Sequence, residues 1–204
     1  YRGSTNTGLI ADDMAHDAKR GFAGGFLYVS RGIHFPSFAN EIRPGEWGAD
    51  YAQLMMQYPN AASAAVIGED MPVADNRITL DAGTRDQHGL PVAHIAKRYH
   101  ANDLALMAHA LKNGEAIYRA VGATEVYTSQ SRTVIHNLGT CRQSRDPADG
   151  VCNKFGRTHD VPNLYISDGS QFASSAAAPP TLTIVALALR QAQHIAEQLR
   201  TDAV

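Results

Sequence analysis

Apolar side chains recur along this chain first at strand spacing and later at helix spacing. Gly25–His34 (GFLYVSRGIH) is rich in β-formers, interrupted by Arg31 and Gly32, and Ala64–Glu69 (AAVIGE) is a second apolar run of strand length. Between them, Pro44-Gly45 followed by Trp47 and Tyr51–Met56 predicts a turn leading into a helix that stops near Pro59. Asn76–Leu80 alternates in character, Asp81–Gly89 is rich in turn residues, and Leu90–Tyr99 reads as the returning strand of an antiparallel pair. Asn102 is placed to cap a helix in which Leu104, Met107, Leu111, Tyr118 and Val121 share a face and which Gly122 ends. Gly114 inside it lowers helix propensity by about 1 kcal/mol against Ala, which points to close packing against a neighbour. Thr124–Tyr127 and Asn163–Ser167 are further strand candidates, and Thr181–Leu199 is a long helix opened by Pro179-Pro180. The first 20 residues are polar and predict an entry loop with at most a short helix.

Composition narrows the classes. The chain has 204 residues, 44% of them apolar, and a formal charge of −2. That supports a packed core and leaves no basic field for a phosphate backbone, so a nucleic-acid partner is not expected. Apolar runs such as Ile184–Leu189 fall far short of the roughly 20 residues that span a bilayer. Two cysteines, Cys141 and Cys152, are too few for a disulfide framework and lack zinc-site spacing, although one bridge between them is compatible with the sequence. The other histidines show no metal-ligand spacing, so no metal is expected, and packing roles are the expectation for them. The same holds for Phe35, Phe38 and Trp47, which could alternatively line a pocket.

Two segments carry candidate chemistry. In Ile135-His136-Asn137-Leu138-Gly139-Thr140-Cys141 a histidine precedes a tight small-residue turn, and a neutral imidazole can take a proton from a hydroxyl. Taken alone, it reads more readily as a core histidine satisfied by a backbone partner. Asp168-Gly169-Ser170 ends a strand candidate and is followed by the bulk-free run 173–178 and a helix start. Such a pattern brings backbone and free N–H groups close to an anion or a flat ring, or serves turn geometry alone.

Taken in order, HNLGTCR at 136–142, DP and GV within 146–151, FGRTHDVPNLYISDGS at 155–170 and PTLTIVALALRQAQHIAEQ at 180–198 resemble the carboxyl-terminal signature of the glucose–methanol–choline (GMC) family of FAD-dependent oxidoreductases. NRITLD at 76–81 and DQHGLPV at 86–92 look like that family's substrate-domain strands. The resemblance implies an α+β fold: a mostly antiparallel substrate-domain sheet with helices, plus the last strand and helix of a Rossmann-like FAD-binding domain. Residues 1–131 would form the substrate-binding domain, and 132–204 the catalytic-histidine segment with the end of the FAD domain. His136 matches the family base that takes the alcohol proton while hydride leaves for flavin N5. Asp168 and Gly169 match positions along the ribityl and phosphate chain. Pro180, Thr181 and Leu182 match the segment at the pyrimidine end of the ring, and Asn137 and Pro179 match positions facing substrate.

The resemblance also marks two departures. The family usually has Asn or His where this chain has Pro179, which carries no side-chain hydrogen-bonding group, and its RMG reads Arg142-Gln143-Ser144. No GxGxxG fingerprint occurs. With Tyr1 in place of a starting methionine, the chain is therefore expected to be the rear portion of an FAD-dependent enzyme, partnered by the polypeptide that carries the fingerprint and acting on a small alcohol or sugar. The alternative expectation is a non-catalytic binding or structural subunit of the same fold that has lost the second active-site polar group at Pro179.

Overall fold

The computed structural model describes residues 8–32, 34–129 and 136–201. Residues 1–7 of the expected entry loop, Ile33 and Ile135 lie outside them. The elements are β1 (Leu9–Ile10), β2 (Phe26–Arg31), α1 (Phe35–Ile42), α2 (Ala49–Met55), β3 (Ser63–Gly68), β4 (Arg77–Arg85), β5 (Pro91–Ala96), α3 (Ala101–Ala120) and α4 (Thr181–Arg200). This mixture of helices with small antiparallel sheets is an α+β fold. By internal contacts the chain forms two compact units, Tyr1–Glu69 with Asn102–Val134, and Asp70–Ala101 with Ile135–Val204. The hairpin expected in the substrate domain thus belongs, by contacts, to the unit that contains His136.

In the first unit β2 is the centre of a three-stranded antiparallel sheet, β1-β2-β3, with Tyr28 opposite Val66 and Phe26 opposite Gly68. Phe26 and Tyr28, two residues apart, project from one face and pack with Phe22, Leu106 and Ala110 into the core. These bulky rings decide which face of α3 turns inward. The expected seam through Leu104, Met107, Leu111, Tyr118 and Val121 is not the one buried: Asp103, Leu106 and Ala110 are, while Leu104 and Val121 are exposed. Small residues must face the rings, and Gly114 does so, since a β-carbon placed on it would sit 3.2 Å from Tyr28 Cε1. The Tyr28 hydroxyl donates to Ala110 O at 2.7 Å, which completes the contact.

Asn102 lies within the first turn of α3 instead of capping it. Its amide brackets Ala23, accepting from Ala23 N at 2.7 Å and donating to Ala23 O at 3.0 Å, and so fixes the helix to the loop before β2. Helix α1, which the apolar pattern did not predict, opens with a proline in its first turn and buries Phe38. Phe35 and Phe38 both meet the Tyr58 ring, at 5.2 and 5.4 Å between centroids. Of the three aromatics expected in packing roles only Phe38 is buried; Phe35 is half exposed and Trp47 is 89% exposed on the loop before α2. Thr124–Tyr127 forms no strand: Arg119 reaches past the helix end to bond the Ala123 and Thr124 carbonyls, and among the described residues no strand pairs with this segment.

In the second unit β4 and β5 pair antiparallel, Ile78 opposite Ile95 and Leu80 opposite Ala93. β4 runs to Arg85 through a register shift after Leu80, five residues beyond its expected end. Ile78, Leu80 and Ile95 on one face of this hairpin are exposed, as are Leu182, Val185, Leu189 and Leu199 along α4. Asn163–Ser167, expected as a strand, is reduced to a single antiparallel bridge between Arg157 and Tyr165. Among the described residues its ladder bonds are Thr158 N to Leu164 O at 2.9 Å and Ile166 N to Gly156 O at 2.8 Å, and no second strand extends them. Gln191, the buried residue of α4, donates to Phe155 O at 2.9 Å and Ile166 O at 2.7 Å, which fastens the helix to this turn. Among the described residues no helix is long and apolar enough to cross a membrane.

Candidate active site

The two segments singled out by sequence are joined by their backbones. Gly139 N bonds Gly169 O at 3.4 Å, Cys141 N bonds Ser170 O at 2.9 Å and Gln143 N bonds Gln171 O at 2.8 Å, so 139–143 lies alongside 169–171. The Gln143 amide adds a side-chain bond to the buried Gln171 at 2.6 Å. Gly169 explains how close they come: a β-carbon placed there would sit 2.8 Å from Leu138 Cδ2, 3.4 Å from Ile184 Cδ1 and 3.5 Å from Asn137 O. The space that its missing side chain frees is therefore filled by the histidine segment and the first turn of α4. Gly139 has φ 85°, a conformation that favours glycine, and faces Phe172 O.

Asp168 opens the short helical turn Gly169–Gln171 by accepting from Ser170 N at 2.7 Å. Hydrogen bonds from the Ser170 side chain and backbone hold its carboxyl below the usual carboxylate range. It stays ionised at neutral pH and stiffens the turn on which the histidine segment rests.

Beside this junction lies a cavity of about 260 Å³. It is lined by Leu138 and Phe172, by Ser174, Ser175, Ala176 and Ala178 of the small-residue run, and by Pro179, Pro180 and Thr183 at the start of α4. No side chain caps α4, a 20-residue helix whose N-cap residue Pro180 and first-turn residue Thr183 line the cavity. Walls made mostly of small side chains leave room beside the start of the helix for a flat group. The volume is near the low end of ligand pockets, roughly 300–1,000 Å³, and so suits one end of a larger group.

The expected residues divide accordingly. Pro179 and Pro180 line the cavity, and Gly169 packs behind Leu138, which lines it too. His136 and Asn137 are exposed at the start of the docked segment, with Asn137 O near the Gly169 Cα. Asp168, Thr181 and Leu182 are not among the lining residues, and Leu182 is 83% exposed. Sequence reasoning did not single out Leu138, Phe172, Ser175 or Thr183; only the absence of bulk over 173–178 hinted at this wall.

Other titratable groups lie elsewhere. Among the described residues no cluster of three or more His, Cys, Asp or Glu is arranged to hold a metal. His109 meets the Phe22 and Phe26 rings edge-on, and His194 stacks on Phe155 at 3.8 Å. Cys141 and Cys152 are free thiols; Cys152 donates to Cys141 O at 3.3 Å.

Residues 72–188, more than half of the chain, match the family described as GMC oxidoreductase. The chain belongs to that family. GMC oxidoreductases oxidise alcohols and sugars and are in general FAD-dependent. Over 97% of its length the chain is 34% identical to a 2-methyl-1,2-propanediol dehydrogenase from Mycolicibacterium austroafricanum, of which it spans 38%. It is 36% identical over 64% of its length to a paromamine 6'-oxidase from Streptomyces fradiae, spanning 24% of that protein. It is 32% identical over 65% of its length to a fructose dehydrogenase large subunit from Gluconobacter japonicus, again spanning 24%. The chain thus spans well under half the length of these GMC relatives, and residues 72–188 of the family match include the cavity lining and the docked histidine segment.

Proposed function

We propose that this chain is the carboxyl-terminal part of an FAD-dependent GMC oxidoreductase that oxidises an alcohol or sugar hydroxyl, with His136 as the base. The observation that carries this reading is the docking of the histidine segment on the Asp168-Gly169-Ser170 turn, beside a small-walled cavity at the uncapped start of α4. When bound, FAD supplies the hydride acceptor at flavin N5. The residues of this chain do the rest. An imidazole nitrogen of His136 takes the hydroxyl proton as the carbon gives up hydride, which leaves a carbonyl product. Asn137 orients the hydroxyl, while Pro179 shapes the site sterically. Pro180, Thr181 and Leu182 would hold the ring edge through backbone groups, and the Asp168–Gly169 turn would hold the ribityl and phosphate chain. Residues up to about 131 contact substrate, and 132–204 complete the cofactor side.

The partner in this reading is the polypeptide that carries the dinucleotide fingerprint. Its support is the uncovered apolar surface of this chain, Ile78, Leu80 and Ile95 on the hairpin and Leu182, Val185 and Leu189 on α4. Residues 1–204 produced alone are then expected to purify without stoichiometric flavin absorbance, and stoichiometric FAD on the isolated chain would refute this part.

The decisive experiment replaces His136 by Ala in the holoprotein and follows flavin reduction by substrate. Flavin is expected to stay bound while the reduction rate falls by about 10²–10⁴-fold, the usual worth of a positioned base. An unchanged rate removes His136 from the role. Pro179 favours a second reading, a subunit that binds FAD without chemistry; an assembled holoprotein that no alcohol or sugar reduces would select it.

A further inference from the structure

The cavity wall has one hydrogen-bonded anchor that the apolar pattern does not reveal. Residues 173–179 carry no bulky side chain, and only Ala177 among them is buried. Among the described residues, hydrogen bonds tie this stretch to a distant part of the chain at a single residue, Ser175. Asp70 N donates to Ser175 Oγ at 2.8 Å, and the same hydroxyl donates to Asp70 O at 3.1 Å. One hydroxyl thus uses donor and acceptor on the two backbone groups of a residue 105 positions away, as a rung of a sheet would. Asp70 is itself held, since its carboxylate pairs with Lys97 Nζ at 3.1 Å just past the end of β5, and Lys97 lies over the Tyr99 ring. Ser175 also lines the cavity, so the anchor and the wall are one residue.

We propose that Ser175 is a positioning residue: by clamping the Asp70 backbone it fixes the small-residue wall, and through it Pro179, Pro180 and the start of α4, in register with the base of the β4–β5 hairpin. Its consequence for the cofactor rests on the reading of the cavity given above; the clamp itself does not. Alanine at 175 removes both bonds without adding bulk, whereas threonine keeps the hydroxyl.

The test compares wild type, Ser175→Ala and Ser175→Thr as purified holoprotein, by hydrogen–deuterium exchange and by visible circular dichroism of the flavin with stopped-flow reduction. In Ser175→Ala, peptides covering 69–72 and 173–179 are expected to lose roughly tenfold in protection, with the melting temperature nearly unchanged. The flavin dichroism is expected to change and the limiting reduction rate to fall by about tenfold, with substrate affinity altered less than the rate. Ser175→Thr restores all of these. Unchanged protection in Ser175→Ala overturns the clamp. Lost protection with unaltered dichroism and reduction rate overturns the positioning role. A wild-type protein that holds no flavin sinks the cofactor reading by itself, while the exchange result still decides the clamp.

Discussion

Gly156→Ala is expected to be among the most damaging single substitutions in this chain. Gly156 has φ 73°, where a β-carbon costs about 1–2 kcal/mol. That β-carbon would overlap Gln191 Nε2 and Ile166 O, and reach 3.5 Å from Gln171 Oε1. The Gln191 amide therefore has to leave, and with it two bonds, to Phe155 O and Ile166 O, each worth about 1 kcal/mol in a buried setting. The total is roughly 3–4 kcal/mol, at the high end for a point substitution. Urea unfolding of the holoprotein, followed by near-ultraviolet dichroism, measures it. Gln191→Ala alone is expected to cost about 2 kcal/mol for the same two bonds. The double variant should cost less than the two single costs added, because those bonds are lost only once. A Gly156→Ala protein within about 1 kcal/mol of wild type, or strict additivity in the cycle, would refute the account of how α4 is fastened.

Two further outcomes follow from titratable groups, beside the His136 and isolated-chain experiments above. Burial, with the charge of Asp13 adding to it, pushes the Tyr28 hydroxyl up to about 12. The unfolded chain releases that proton near pH 10, so stability is level below pH 10 and declines as pH rises toward 12. Tyr28→Phe should lose about 1 kcal/mol at neutral pH with the bond to Ala110 O and flatten the alkaline decline; a decline as steep as wild type excludes Tyr28 as its source. Burial first, and then the charge of Cys141, raises the Cys152 thiol, and no part of Cys152 is exposed to solvent. A thiol reagent is expected to label Cys141 in the native protein and Cys152 only on unfolding, so equal native rates at both would contradict the packing.

What the residue pattern shows and what it hides follow a physical rule. β2, β3, the β4–β5 pair, α3 and α4 were legible because each shows a periodicity that its own side chains impose. The buried face of α3 was not, because it is set by Phe26 and Tyr28 on another element, which select Ala110 and Gly114 over the larger Leu104 and Leu111. Asn163–Ser167 has strand-forming side chains but a hydrogen-bonding neighbour on one side only, and propensity cannot supply the other. At the candidate site the His136 and Asp168–Gly169 segments stand out only through the family resemblance that their order in the chain carries. Their docking through Gly169 and Leu138, and the hydroxyl clamp at Ser175, join residues 31 and 105 positions apart and leave no local trace.

The interleaving of the two compact units has a consequence for anyone who cuts or recombines this gene. Each body is assembled from two stretches separated by a piece of the other, so no single breakpoint frees either as a transplantable cassette. A chimera built with one junction at any of the three crossings splits at least one body between the two parents. Exchange with a relative therefore has to take the insert 70–101 out with both its ends, or leave it whole.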